Sequence, residues 1–217
     1  MTDPGPWGAP RPEPEPARAP AVSWRRRLLW LAVVVGGGVL LATALISGGN
    51  SPGGGGGALK GKGSTVQISS ATDYDPEGDG QEDPETVGFA VDGNLETAWS
   101  SEHYDTDTFA GTKTGPDPGV GLYVNTASPA TPTEMVIHTP TPGWDAEIYA
   151  TAAEPPEGIT EWGEPVGEVA DASKVEEVEL HLATAAKHFL IWFNKASPAA
   201  DQEGRFQVEI SDVKLVE

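Results

Sequence analysis

Nineteen consecutive residues, Leu28 to Ile46, carry no charge and come directly after Arg25, Arg26 and Arg27. As a helix this run rises ~28 Å, close to the ~30 Å hydrocarbon thickness of a bilayer. It has no amphipathic stripe, so it does not read as one face of a soluble helix. Trp24 and Trp30 stand where an interfacial aromatic belt would lie, and the three arginines keep the N-terminus cytoplasmic under the positive-inside rule. Gly36, Gly37 and Gly38 would weaken a helix in water but are tolerated in lipid. The rival reading is a cleaved signal peptide, since Ala42-Thr43-Ala44 fits the small-x-small pattern. Against it stand the long Pro-rich segment upstream and an apolar run that continues past the cut. The adopted reading is an uncleaved signal-anchor. Both readings export residues 47–217.

This run divides the chain into parts of different physics. Residues 1–27 are Pro-rich, with Arg11-Pro-Glu-Pro-Glu-Pro-Ala-Arg18 at their centre. They offer few apolar side chains to offset ordering entropy and read as a disordered cytoplasmic tail. Residues 28–46 are the transmembrane helix. Residues 47–63 are dominated by glycine and read as a flexible linker with an r.m.s. span of ~20–25 Å. Such a linker lets the remainder reorient and transmits no twist or piston. Residues 64–217 form the body, long enough for one well-buried core.

Charge separates the same parts. The tail holds five arginines against three acids, whereas the body holds six basic and thirty acidic residues within a net chain charge of −20. A body this acidic repels phosphate backbones and anionic headgroups, which excludes nucleic acid as a partner. The chain has no cysteine, which removes disulfides, thiolate metal sites and thiol nucleophiles.

Strand signals dominate the body. Alternation or short apolar runs mark 65–70, 119–126, 134–139, 145–151, 175–182, 188–194 and 205–216, punctuated by Pro and Gly. The best short helix lies near Val87–Val91, ending at Asp92-Gly93. The class is all-β, a sandwich or jelly roll.

The segment Ala90-Val-Asp-Gly-Asn-Leu-Glu-Thr-Ala-Trp-Ser-Ser101 resembles the signature of discoidin-like domains. Those domains share the galactose-binding-like jelly roll of many carbohydrate-binding modules. The order of later segments fits too: Gly119–Val124, Glu134–Thr139, Lys187–Phe193 and Val208–Leu215. The resemblance is strongest to the extracellular module that actinobacterial membrane proteins carry after a single span. It implies a discoidin-like jelly-roll β-sandwich over nearly the whole body, with Trp99 packed under it.

Three groups of residues could carry chemistry. The first is the acidic stretch 73–83. Hard cations take six to eight oxygens from a loop that can curl around them. Asp73, Asp75, Asp79 and Glu82 fall at suitable intervals, with Gly78 and Gly80 permitting turns. The stretch departs from the EF-hand register. Galactose-binding-like domains often hold a structural Ca2+ near this loop, so the resemblance adds the expectation of a structural calcium. The alternative is a solvated acidic turn.

The second group is aromatic. Sugar rings present C–H faces that stack on indole. Trp144 comes after a Pro/Gly corner, Trp162 lies in a Pro/Gly-rich loop, and Tyr104 and Phe109 lie in the 101–114 insertion beside His103, Asp105 and Asp107. Trp144, Trp162, Tyr104 and His103 are the candidate ligand residues, while Trp99 and Trp192 read as core. The third group, catalytic, is not assembled. The four histidines lack metal-ligand spacing, and there is no Gly-x-Ser-x-Gly elbow or phosphate loop.

The expectation is a membrane-anchored, extracytoplasmic, non-catalytic module that recognises a cell-envelope carbohydrate or glycoconjugate. The alternative is a protein–protein assembly module at the envelope, using its acidic surface against a basic partner. A third reading is a spacer with no ligand, and burial of both Trp144 and Trp162 would take away the physical basis of the carbohydrate reading.

Overall fold

The computed structural model describes residues 63–109 and 111–217. The expected tail, the expected transmembrane helix and nearly all of the expected linker lie outside the described residues. Among the described residues no helix is long and apolar enough to cross a membrane.

The described residues form thirteen strands: β1 (Thr65–Val66), β2 (Ile68–Tyr74), β3 (Trp99–Ser100), β4 (Val120–Ala130), β5 (Glu134–His138), β6 (Asp145–Thr151), β7 (Gly167–Val169), β8 (Val175–Glu179), β9 (Ala186–Lys195), β10 (Ser197–Pro198), β11 (Phe206–Gln207), β12 (Glu209–Ile210) and β13 (Asp212–Val216). Two 3-10 helices, Val87–Val91 and Ile159–Glu161, lie among them. Two antiparallel sheets face each other, in the orders β2-β4-β9-β6-β7 and β1-β13-β5-β8. Non-consecutive neighbours mean that the chain crosses repeatedly between the sheets, as in a jelly-roll sandwich.

Alternation sets the faces. In β4, Val120, Leu122 and Val124 enter the core, where they meet Met135 and Ile137 from β5 and Val213 and Leu215 from β13. β9 does not alternate: Phe189 through Phe193 are all buried. Such a run marks a strand covered on both faces. Phe189, Ile191 and Phe193 point into the main core. Leu190 and Trp192 join a second cluster with Tyr74, Tyr149, Ile159 and Trp162. The loop 152–165 covers that cluster and is pinned by the Tyr74 hydroxyl, which donates to the Pro156 carbonyl at 3.0 Å. Both clusters are built from residues of the body, which is a compact unit by itself.

The all-β class holds, and β6 falls on the expected span. The single strand expected over 205–216 is three short strands instead. β11 pairs with β10, β12 with β3, and only β13 joins the four-stranded sheet. The chain changes partner at Val208 and Ser211, whose backbone carbonyl and amide groups bond to Ser101 and His138 respectively. His181, expected within a strand, lies beyond β8 and is exposed.

Candidate functional site

The acidic stretch folds back on itself. Asp75 and Glu82 are buried, and both converge on Lys113: Nζ donates to Asp75 Oδ1 at 2.7 Å and to Glu82 Oε1 at 3.0 Å. Tyr104 lies in the same place. Its hydroxyl donates to Glu82 Oε1, and its ring lies 5.4 Å from the ammonium. The other Glu82 oxygen accepts the Glu102 amide at 2.8 Å, and the Glu82 carbonyl accepts Trp99 Nε1 at 2.7 Å. Burial opposes the charge of Lys113, but the Asp75 hydrogen bond and the Glu82 charge outweigh it and raise its pKa. Burial raises the Glu82 carboxyl against the pull of Tyr104, Glu102 and Lys113. Burial, then the Glu82 charge, drive the Tyr104 phenol far up.

This arrangement does not fit the expected calcium ligands. Asp73 Oδ2 is engaged by the Glu82 amide at 2.6 Å. Asp79 is exposed and accepts from the Gln81 amide in its own turn. Asp75 and Glu82 are bonded to an ammonium. Among the described residues no three His, Asp or Glu side chains converge to hold a metal ion.

The aromatic expectation also needs correction. Trp144 is fully buried, edge-on to Phe193 at 5.2 Å, with Nε1 donating to Thr139 Oγ1 at 3.3 Å. Trp162 is buried in the second cluster, 5.9 Å from the Tyr74 ring. Tyr104 is buried against Phe109. Apolar rings beside Pro/Gly corners are drawn inward because burying them releases more free energy than exposing them to solvent. None of the three offers a face for stacking, so the stacking basis expected for carbohydrate recognition is lost. Trp99 and Trp192 are core, as expected.

His103 is the candidate that stays near the surface. It lines an open concavity of about 370 Å³, together with Asp79, Gln81, Asp83, Pro84, Ser101, Glu102 and Gln207. His103 Nε2 lies 2.8 Å from Asp201 Oδ1. Gln207 donates to the Ser101 carbonyl at 2.7 Å and Arg205 to the His103 carbonyl at 2.7 Å, which fixes the wall. The lining is carboxylate, amide and imidazole, suited to hydrogen-bonding hydroxyl groups. Lys113, Gln81, Asp83 and Gln207 were not singled out from sequence. Lys113 carried a faint signal, as one of six basic residues in an acidic body, set in the aromatic insertion.

No protein-family model matches the chain, and no curated protein matches it by sequence. Solved structures similar to it include carbohydrate-binding modules, at low identity. One is the CBM32 of AlyQ in complex with 4,5-unsaturated mannuronic acid: 14% identity, 71% of this chain and 98% of that one, TM-score 0.48. Another is a pectin-binding carbohydrate-binding module, at 14% identity, 70% and 91% coverage and TM-score 0.45. A third is CpGH89CBM32-5 from Clostridium perfringens in complex with GalNAc-β-1,3-galactose, at 10% identity, 71% and 100% coverage and TM-score 0.48.

Proposed function

We propose that the body is a non-catalytic carbohydrate-binding module and that its ligand sits in the concavity around His103. The observation that carries this reading is the lining itself. Hydrogen-bond donors and acceptors converge in one concavity, on a backbone wall held by Glu82, Gln207 and Arg205. Binding then rests on hydrogen bonds to hydroxyl groups rather than on stacking. Three carboxylates in the lining, Asp79, Asp83 and Glu102, repel uronate polymers and favour neutral or amino sugars. The chain displays the module outside the membrane on its glycine linker, where envelope glycans or glycoconjugates are the ligands within reach.

The test is co-sedimentation of residues 63–217 with neutral, amino-substituted and uronate polysaccharides, comparing wild type with His103→Ala and Gln207→Ala. Retention on the first two classes that either substitution weakens supports the reading. Absence of retention on all three at millimolar sites sinks it.

The second reading, docking of a basic protein partner, draws on the outer face of the four-stranded sheet. There Glu134 lies directly opposite Glu179, with Glu177 beside them. Like charges directly opposite on paired strands are destabilising, so a cationic partner would relieve them. That contact would weaken sharply in 0.5 M salt, whereas binding to a neutral sugar would persist.

A further inference from the structure

We propose that Lys113 is a built-in cation that takes the role of a divalent ion in the 73–83 loop, making the fold and the concavity independent of calcium. The consequence for ligand binding rests on the carbohydrate reading; the consequence for stability does not.

Charge and geometry carry the argument. Two buried carboxylates need a positive partner, since an isolated buried charge is costly to desolvate. The Asp75, Glu82 and Lys113 side chains are 1%, 0% and 3% exposed, and the ammonium sits between the two acids. The charge left over is spread over neutral donors: the Gly80 amide on Asp75, and the Glu102 amide and Tyr104 hydroxyl on Glu82. A second cation would find the inner oxygens engaged, and among the described residues no three such side chains converge to hold a metal ion.

The surroundings are shaped to deliver the lysine. Phe109 takes a left-handed backbone (φ 57°), a conformation that non-glycine residues rarely hold unless their surroundings impose it. Its buried ring packs edge-on against Tyr104 at 4.8 Å, and its carbonyl accepts the Lys113 amide at 3.0 Å. Opposite, Gly78 leaves no room for a side chain: a Cβ there would overlap Asp75 Oδ2 and lie 2.5 Å from Lys113 Nζ. From the ammonium the connections run through Glu82 to the Glu102 amide, Tyr104 and Trp99. Of these, Glu102 lines the concavity, and Glu82 stands between the lining residues Gln81 and Asp83, so the internal cation positions its wall.

The experiment is thermal unfolding of residues 63–217 in millimolar calcium and in chelator, for wild type and Lys113→Ala. Wild type is expected to unfold at the same temperature in both. A resident calcium held far above its Kd would instead raise Tm by about 8–16 °C. Lys113→Ala is expected to lower Tm by about 6–20 °C, because it strands two buried acids. A calcium-dependent rise in wild type, or a Lys113→Ala variant at wild-type Tm, overturns the proposal. Should Lys113→Ala fail to fold, calcium titration of wild type followed by calorimetry still decides, with heat of binding as the refuting result. If wild type is retained on a glycan, retention must be equal in calcium and chelator. If it is retained on none, the carbohydrate reading fails while the stability arm still stands or falls by itself.

Discussion

Replacing Trp144 with alanine separates a folding role from a binding role. The indole is fully buried, meets Phe193 edge-on at 5.2 Å and donates to Thr139 Oγ1 at 3.3 Å. Its removal leaves a cavity in the main core, a change that costs about 3–5 kcal/mol. The hydrogen bond adds little, because Thr139 Oγ1 still accepts the Thr141 amide and donates to the Glu209 carbonyl at 2.6 Å, so no orphan group remains. At about 1.4 kcal/mol per tenfold, the folding constant falls roughly 10²–10⁴-fold. Against a typical domain stability of about 5–15 kcal/mol, much of the protein stays folded. Urea unfolding of residues 63–217, monitored by circular dichroism, should show a lower midpoint at an unchanged slope. Trp144→Phe should recover more than half of the loss. The reasoning is refuted if Trp144→Ala unfolds within about 1 kcal/mol of wild type yet no longer retains glycan, because the ring would then be working at the surface.

Particular contacts lead to other outcomes. Gly78→Ala forces a Cβ into the Asp75–Lys113 pair and should destabilise by about 1–3 kcal/mol in chemical denaturation, while Gly88→Ala, in open space, should not. Because the Lys113 pKa is raised above 10.5, its contribution is complete below that value and lost as pH climbs through the folded-state pKa. The stability gap between wild type and Lys113→Ala should therefore be flat from neutrality to about 10.5 and narrow above it. Burial lowers the His188 pKa below 6.5, so the neutral ring favours folding above that value. This advantage disappears as pH falls, and denaturant midpoints of wild type and His188→Gln should converge or cross between neutral and acidic pH. Trp162→Ala should loosen loop 152–165 by removing its anchor in the outer cluster. Hydrogen exchange should rise there and at Tyr74 but not at Ile137 or Leu215, which lie in the main core.

Several strand positions were legible because one-sided burial writes itself as alternation, as in Val120-Gly-Leu-Tyr-Val124, and because Pro and Gly mark the turns, whereas the expected strand 65–70 divides between β1 and β2 in different sheets. The 3-10 turn at Val87–Val91 and the buried Trp99 were legible from the segment around Asp92-Gly93. The site was less so. Acidic spacing in 73–83 pointed to calcium, whereas Asp75 and Glu82 are bonded to Lys113; spacing is blind to which cation arrives. Lys113 lies 31 residues from Glu82 and 38 from Asp75, and no local pattern links residues so far apart. Likewise a tryptophan after a Pro/Gly corner reads as a loop residue, and only the packed sandwich shows that Trp144 turns in against Phe193.

The sequence alone determined the all-β class, the position of several strands and the net acidity of the body. These depend on local periodicity and on sums of charge, which survive without a fold. Tertiary structure decided which acids are buried, which cation neutralises them, which aromatics lose their faces to the core, and where polar groups converge around His103. Each of these is set by contacts between residues distant in the chain, where burial and pairing fix the energy of a group and its identity does not.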